Sequence, residues 1–151
     1  MLGTVDQIRR EESLPETCRQ YARDTITLGW EERLKVHSRR RSDEGREFAT
    51  ALPRGTILRA GDCLVVDRDR AIITVVERPE PVFVIEPRDR REWGLFAYQI
   101  GNRHQPLMIT DTALVCPDVP GMEELLRQHH MPYVRSMQPF TPATAPASHS
   151  H

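Results

Sequence analysis

The chain has 151 residues, of which 38% are hydrophobic and 28% are charged, and its formal net charge is -1. This near-neutral charge gives no whole-chain argument for a nucleic-acid or membrane-surface ligand, and the apolar runs are much shorter than the ~20 residues that a membrane-spanning helix needs. Because the N-terminus lacks the apolar stretch of a signal peptide and the three cysteines form no CxxC pair, we expect a cytoplasmic protein without a disulfide framework.

Charge and proline are distributed unevenly along the chain. Residues 1–92 carry 18 basic and 18 acidic side chains, whereas residues 93–151 carry three and four. Ten of the twelve prolines stand at position 79 or later. This shift predicts two units, of which the charge-poor one needs cover from a partner surface.

The first predicted unit is a small antiparallel β domain that, with a polar lead-in at residues 1–23, covers residues 1–80. From Thr25 to Val36 apolar and polar residues largely alternate, which predicts a half-buried strand. The further predicted elements are, in chain order, a turn at 42–45, a strand at 47–52, and a hairpin formed by the β-branched runs 63–66 and 71–77.

The second predicted unit covers residues 81–140 and follows the order βαββαβ, which is the ferredoxin-like arrangement. Its first helix carries an apolar stripe of Trp93, Phe96 and Ile100, and His104 falls four residues further along the same spacing. Residues 141–151 are rich in Pro, Ala and Ser and are predicted to form a disordered tail. The expected fold class is therefore α+β.

His104 is the strongest candidate for chemistry. It comes at the predicted end of the amphipathic helix, where the helix dipole favours a cation. Two interpretations are open: a core or interface histidine whose nitrogens are hydrogen-bonded, or a metal ligand that meets its twin across a two-fold axis. Imidazole suits nickel, copper and zinc.

Other possible ligands have weaker patterns. His149 and His151 end the chain and are spaced so that both can bind one metal ion, or else they are incidental to the tail. His129 and His130 are adjacent, diverge on a helix and are expected at the surface. Cys116 is a possible soft ligand, although a buried small apolar side chain is the favoured interpretation.

Nucleic-acid binding and catalysis find little support in the sequence. The run Arg39–Arg41 is short and offset by nearby acidic residues, which favours a solvated strand face. The predicted central strands lack the aromatic residues of an RNA-recognition module. No GxSxG, P-loop, HExxH or Cys-His signature occurs. We therefore expect a protein that is not an enzyme and that binds neither nucleic acid nor membrane.

Four segments resemble one known family in the same order. Ala97–Ile109 reads AYQIGNRHQPLMI and is similar to the AYxxGNRHxPLxI motif of UreE, the family of urease accessory nickel chaperones. Thr25–Arg33 is similar to the first strand of that family, Leu52–Asp62 to its LPRGTxLRxGD segment, and Pro139–Pro142 to the end of its last strand. The resemblance covers about residues 24–151.

The resemblance implies a β domain followed by a ferredoxin-like metal-binding domain that forms a homodimer. It implies a cytoplasmic carrier of Ni²⁺ that hands its cargo to the urease GTPase accessory protein in the urease pre-activation complex. His104 then corresponds to the interfacial nickel ligand, and His149 and His151 correspond more loosely to tail ligands. Two departures are notable: the tail has only two histidines, and Cys116–Pro120 stands where some members have a histidine cluster.

Two alternatives to the nickel chaperone remain open. One is a general buffer or sensor of Cu²⁺ or Zn²⁺ that uses the same pair of His104 side chains. Cu²⁺ in particular binds nitrogen ligands more tightly than Ni²⁺ does. The other is a protein-interaction module without metal, in which His104 is an interface residue.

Overall fold

The chain divides into two compact units in the computed structural model, which describes residues 1–143. Within that range the units are Met1–Arg78 and residues 79–143. Strands dominate both units and three α-helices accompany them, which confirms the α+β fold class. None of the helices in residues 1–143 has the length and hydropathy to span a membrane.

The N-terminal unit contains two three-stranded sheets, one short α-helix and three single-turn 3₁₀ helices. Its elements are β1 (Thr4–Val5), β2 (Ala22–Leu28), α1 (Trp30–Leu34), β3 (His37–Arg41), β4 (Glu47–Ala51), β5 (Cys63–Val66) and β6 (Ala71–Glu77). The strand orders are β1-β4-β3 and β2-β6-β5. The main core of the unit includes Phe48, Leu58 and Leu64, all fully buried.

Two details of this unit differ from the prediction. The alternation from Thr25 to Val36 is not one strand, because β2 ends at Leu28 and Gly29 becomes the N-cap of α1, whose first turn is acidic. The sheets are also mixed, since β1 pairs in parallel with β4, and β2 with β6. Parallel partners are distant in sequence, so that a local alternation pattern cannot reveal them.

The C-terminal unit has the ferredoxin-like order that the sequence predicts. Its elements are β7 (Glu80–Ile85), α2 (Arg90–Asn102), β8 (Met108–Ile109), β9 (Leu114–Pro117), α3 (Met122–Gln128) and β10 (Val134–Gln138). The sheet order is β10-β7-β9-β8, and every neighbouring pair is antiparallel. Each helix therefore connects two strands that are separated by one other strand of the sheet.

Helix α2 packs an apolar face against the sheet of this unit. It begins at Asp89, whose carboxylate accepts a hydrogen bond from the backbone N–H of Glu92 at 2.9 Å. Phe96 and Ile100 are 5% and 0% exposed, and they belong to one core cluster with Phe83 of β7. Burial of these side chains holds the body of α2 against the sheet.

The chain after β10 stays packed for several residues, which corrects the predicted start of the tail at residue 141. Phe140 is fully buried and Thr141 is 9% exposed. The N–H of Ala143 donates to the carbonyl oxygen of Leu107 at 2.6 Å. Burial of Phe140 anchors this segment although its composition is typical of disorder. The rest of the predicted tail, residues 144–151, lies outside the described residues.

Candidate metal centre

His104 lies in the turn that ends α2, and its side chain is exposed. Arg103 is the C-cap of the helix, and His104 follows it with a left-handed backbone, φ +57°. Its N–H donates to the oxygen of Gly101 at 2.9 Å, and the N–H of Gln105 donates to the oxygen of Ile100 at 3.3 Å. These two bonds form the Schellman pattern that commonly ends a helix.

His104 therefore does not continue the buried stripe of α2, as the spacing predicted. The stripe ends at Ile100, because α2 itself ends at Asn102 and the left-handed residue redirects the chain. Within residues 1–143 the imidazole of His104 makes neither a hydrogen bond nor an ion pair. The side chain is exposed, so that among the described residues His104 is not a buried, hydrogen-bonded histidine.

The left-handed conformation of His104 is unfavourable for a residue with a side chain. It costs an L-residue about 1–2 kcal/mol, and glycine is the usual residue at this position of the helix end. The backbone geometry alone thus favours glycine. Histidine is one of the non-glycine residues that adopt this conformation most often, so the backbone geometry by itself assigns no role to the imidazole.

The described part of one chain does not hold a complete metal site. Within residues 1–143 no group of three or more His, Cys, Asp or Glu side chains is arranged to hold an ion. The two predicted tail ligands, His149 and His151, lie outside the described residues. Of the three predicted metal ligands, His104 is therefore the one that lies within the described residues.

Cys116 is a poor ligand in this fold. It is fully buried in β9, opposite Phe83 of β7. Burial raises the pKa of its thiol to about 12, with a smaller contribution from the nearby charge of Asp118. Since the thiolate is the form that binds metals, a neutral thiol at physiological pH is unsuited to ligation.

The histidines of α3 show a geometry that sequence reasoning missed. His129 is the C-cap of α3, and the exposed His130 follows it with φ +52°. Both helix ends share one sequence signal, a proline two residues after the left-handed histidine: Pro106 follows His104 and Pro132 follows His130. Proline shortly after a helix C-cap is a known stop signal. It predicts where both helices end, but it does not reveal the left-handed backbone of the histidine.

The apolar side chains that α2 leaves exposed are not those of the predicted stripe. Phe96 and Ile100 are used by the core of their own unit. The exposed apolar residues of α2 are instead Leu95, at 39%, and Tyr98, at 63%. An apolar partner surface for this helix would therefore contact Leu95 and Tyr98.

Models of one known protein family match nearly the whole chain. The family model "UreE urease accessory protein, N-terminal domain" matches residues 5–77, and the corresponding C-terminal domain matches residues 80–151.

Curated relatives carry the same name. A urease accessory protein UreE from Verminephrobacter eiseniae is 34% identical over 146 residues, which are 94% of this chain and 86% of that protein. One from Enterobacter sp. is 34% identical over 128 residues, 84% of each chain. One from Burkholderia vietnamiensis is 36% identical over 118 residues, which are 78% of this chain and 58% of that longer protein.

These names describe accessory proteins and not enzymes, in agreement with the expectation from the sequence. The two domain matches meet at the boundary between the two compact units, and the GNRH segment that ends in His104 lies in the second of them. The chain belongs to the UreE family of urease accessory proteins.

Proposed function

We propose that this protein is a cytoplasmic nickel carrier in urease maturation. It binds Ni²⁺ as cargo and passes it to the urease GTPase accessory protein within the urease pre-activation complex. The observation that carries the proposal is the exposed imidazole of His104, which has no partner within residues 1–143 and lies at a helix end in a chain of the UreE family. The curated relatives are themselves named urease accessory proteins, which supports the maturation role.

The proposed working form is a homodimer through the C-terminal unit. One imidazole is too few to hold Ni²⁺, and the described part of the chain adds no ready cluster of donors. Two copies of His104 meeting at a two-fold axis supply two nitrogen ligands. Exposed Leu95 and Tyr98 on the same helix offer apolar area for the contact.

The remaining ligands in this proposal are His149 and His151 of the tails, together with water. A shell with exchangeable positions suits a carrier, because an acceptor can bind the ion before the donor ligands leave. Because Cu²⁺ binds such nitrogen ligands more tightly than Ni²⁺, selectivity comes from metal supply and from the docking partner.

The first experiment counts ions and chains. We expect light scattering to give a dimer without metal, and calorimetry to give tight nickel binding at one ion per two chains.

Tyr98→Asp, which places a charge in the proposed contact, should yield monomers and weaken nickel binding although His104 is retained. A chain ending at residue 143 should stay dimeric and bind nickel less tightly. Unchanged binding by the shortened chain would show that His149 and His151 are not ligands.

The second experiment separates a chaperone from a metal buffer. Purified urease pre-activation complex is supplied with limiting nickel, with a chelator present, and with either the wild-type protein or His104→Gly. A chaperone activates urease under these conditions and His104→Gly does not. If the wild-type protein activates urease no better than a sample without it, or captures no GTPase in a pulldown, the buffer is favoured. Equal activation by the variant would instead show that His104 does not carry the delivered ion.

A further inference from the structure

The N-terminal unit contains a basic groove that the nickel proposal does not use. The groove has a volume of about 290 Å³ and lies between β2 and β3. Five of its ten lining residues are cationic and one is acidic: Lys35, Arg39, Arg40, Arg41 and Arg78, against Glu32. A cavity of this size is smaller than a typical drug-sized pocket, but its open shape can accept a short extended segment.

One wall of the groove is the free edge of a sheet. Strand β3 pairs with β4 and with no other strand in the described part of the chain. Hydrogen bonds from Leu52 N to Val36 O and from Ser42 N to Arg46 O fix which backbone groups face β4. In an antiparallel pair these groups alternate, so the even-numbered residues of β3 bond to β4 and the odd-numbered ones face outward.

The outward-facing residues of β3 are His37, Arg39 and Arg41. Their N–H groups have no backbone partner within residues 1–143. Their side chains are exposed, whereas Arg40 is buried at 7%. The carbonyl oxygen of Arg39 accepts a hydrogen bond from Ser38 Oγ at 3.2 Å. The unpaired N–H groups and the exposed basic side chains therefore belong to the same residues.

The opposite wall, β2, is already satisfied along its edge. Asp43 N donates to Thr25 O at 2.8 Å, and Thr27 N donates to the Asp43 carboxylate at 3.3 Å. The guanidinium of Arg78 donates to Thr27 O at 3.1 Å. An incoming chain can thus form backbone hydrogen bonds with β3 only.

Not every cation of the groove is free for a ligand. Arg40 donates to the carbonyl oxygens of Glu32 and Lys35 at the end of α1. Arg41 and Arg78 form ion pairs with Glu47 and Glu32, at 2.6 and 3.4 Å. Of the lining cations, Lys35 and Arg39 have no ion pair within the described residues, and they leave uncompensated positive charge in the groove.

We propose that β3 is a docking edge for an extended acidic segment of a partner protein. The segment adds as a strand beside His37–Arg41, and its carboxylates approach Lys35 and Arg39. Main-chain hydrogen bonds supply affinity in this mode and side-chain charge supplies selectivity. Nucleic acid fits less well, because none of the ten lining residues is an aromatic platform for bases.

The binding test uses the full-length protein and three fluorescent probes at low ionic strength. The probes are an octapeptide of alternating Glu and Val, the same peptide with Lys in place of Glu, and a single-stranded DNA of equal negative charge. We expect anisotropy to report binding of the Glu peptide only. Equal binding of the DNA would mean a general anion site, and no binding of the Glu peptide would mean that the cations only prevent unwanted strand pairing. Either result overturns the proposal.

Two substitutions at one position separate charge from backbone pairing. Arg39→Gln should lower the affinity for the Glu peptide about two- to five-fold, which is the range expected for one exposed ion pair. Arg39→Pro also removes an outward N–H without touching a β3–β4 hydrogen bond, and it should weaken binding about five-fold further. Arg54→Gln is the control, since Arg54 is exposed and lies outside the groove lining.

Hydrogen exchange gives an independent measurement on the wild-type protein. The bound Glu peptide should slow the amides of His37, Arg39 and Arg41, whereas those of Ser38 and Arg40 are already protected by β4. Slowing without this alternation, or equal affinity of Arg39→Pro and Arg39→Gln, would contradict strand addition.

Discussion

Helices α2 and α3 end in the same way, although only one of the two ends is proposed to bind metal. His104 and His130 have φ values of +57° and +52°. The N–H of each histidine bonds to the oxygen three residues earlier, at 2.9 and 3.2 Å. The next N–H bonds to the oxygen five residues earlier, at 3.3 and 2.9 Å. A left-handed histidine at a helix end is therefore not in itself a sign of metal binding.

The two ends differ in the residue that comes after the histidine. Met131, after His130, is 2% exposed and belongs to the core cluster of the unit. Gln105, after His104, is polar and only half-buried. An apolar residue at this position is the usual companion of the Schellman pattern. The end of α3 is thus fixed by burial, whereas the end of α2 presents its histidine beside a polar residue.

The strongest test of this difference is nickel binding by two matched variants. His104→Gly removes the imidazole and keeps the left-handed turn, and in the dimer it removes two ligands at once. We expect nickel affinity to fall at least about 100-fold, more than the loss of a group that only orients a ligand. His130→Gly makes the same change at the other helix end and should leave affinity unchanged. Calorimetry on both proteins decides, and an equal loss in His130→Gly would remove the distinction between the two ends.

A second test concerns the residue after each histidine. Met131→Ala deletes a buried side chain and should lower the free energy of unfolding by about 2–4 kcal/mol. Gln105→Ala should change it by less than about 0.5 kcal/mol, because little apolar area is lost. Urea denaturation measures both. Similar losses would mean that the α2 end is also fixed by packing.

A smaller effect should come from the left-handed backbone itself. Glycine relieves the strain of φ near +55°, and its greater entropy in the unfolded chain offsets part of that gain. His104→Gly and His130→Gly should therefore each stabilise the metal-free protein by about 0.5–1 kcal/mol. His104→Ala retains a Cβ and should show no such gain. Thermal unfolding without metal would contradict the assigned geometry if Ala and Gly behaved alike.

The smallest expected effect is a pH dependence of the unfolding free energy that comes from Glu123 in helix α3. The hydroxyl of Tyr133 donates to the Glu123 carboxylate and, with Arg127 and Arg135 nearby, holds the pKa of Glu123 below its ordinary value. This contribution to stability is complete above the pKa of the unfolded chain, near 4.5, and is lost as pH falls through the lower folded-state value. Urea denaturation between pH 7 and pH 3 should show a weaker acid loss in Glu123→Gln. The same slope in both proteins would show that this carboxylate is uncoupled from folding.

Much of the C-terminal unit was predictable from local patterns. The βαββαβ order follows from short apolar runs, two amphipathic helices and the prolines between them. The α1 helix was missed, because Trp30–Leu34 is too short for a periodicity signal to separate from alternation. The packed residues 141–143 were assigned to the tail, because their composition is typical of disorder and the burial that begins with Phe140 gives no local signal.

The features of the candidate site also separate into those that the sequence identifies and those that only the fold reveals. The amino-acid sequence alone singles out His104, through the GNRH motif and the proline that comes after it. The folded chain was needed to show that this imidazole is exposed, because the helix ends two residues earlier and a left-handed turn removes it from the buried stripe. The burial of Cys116 and the free sheet edge beside the basic run of β3 likewise became visible only in the fold. Strand partners and burial depend on contacts between residues distant in sequence, and local patterns do not encode such contacts.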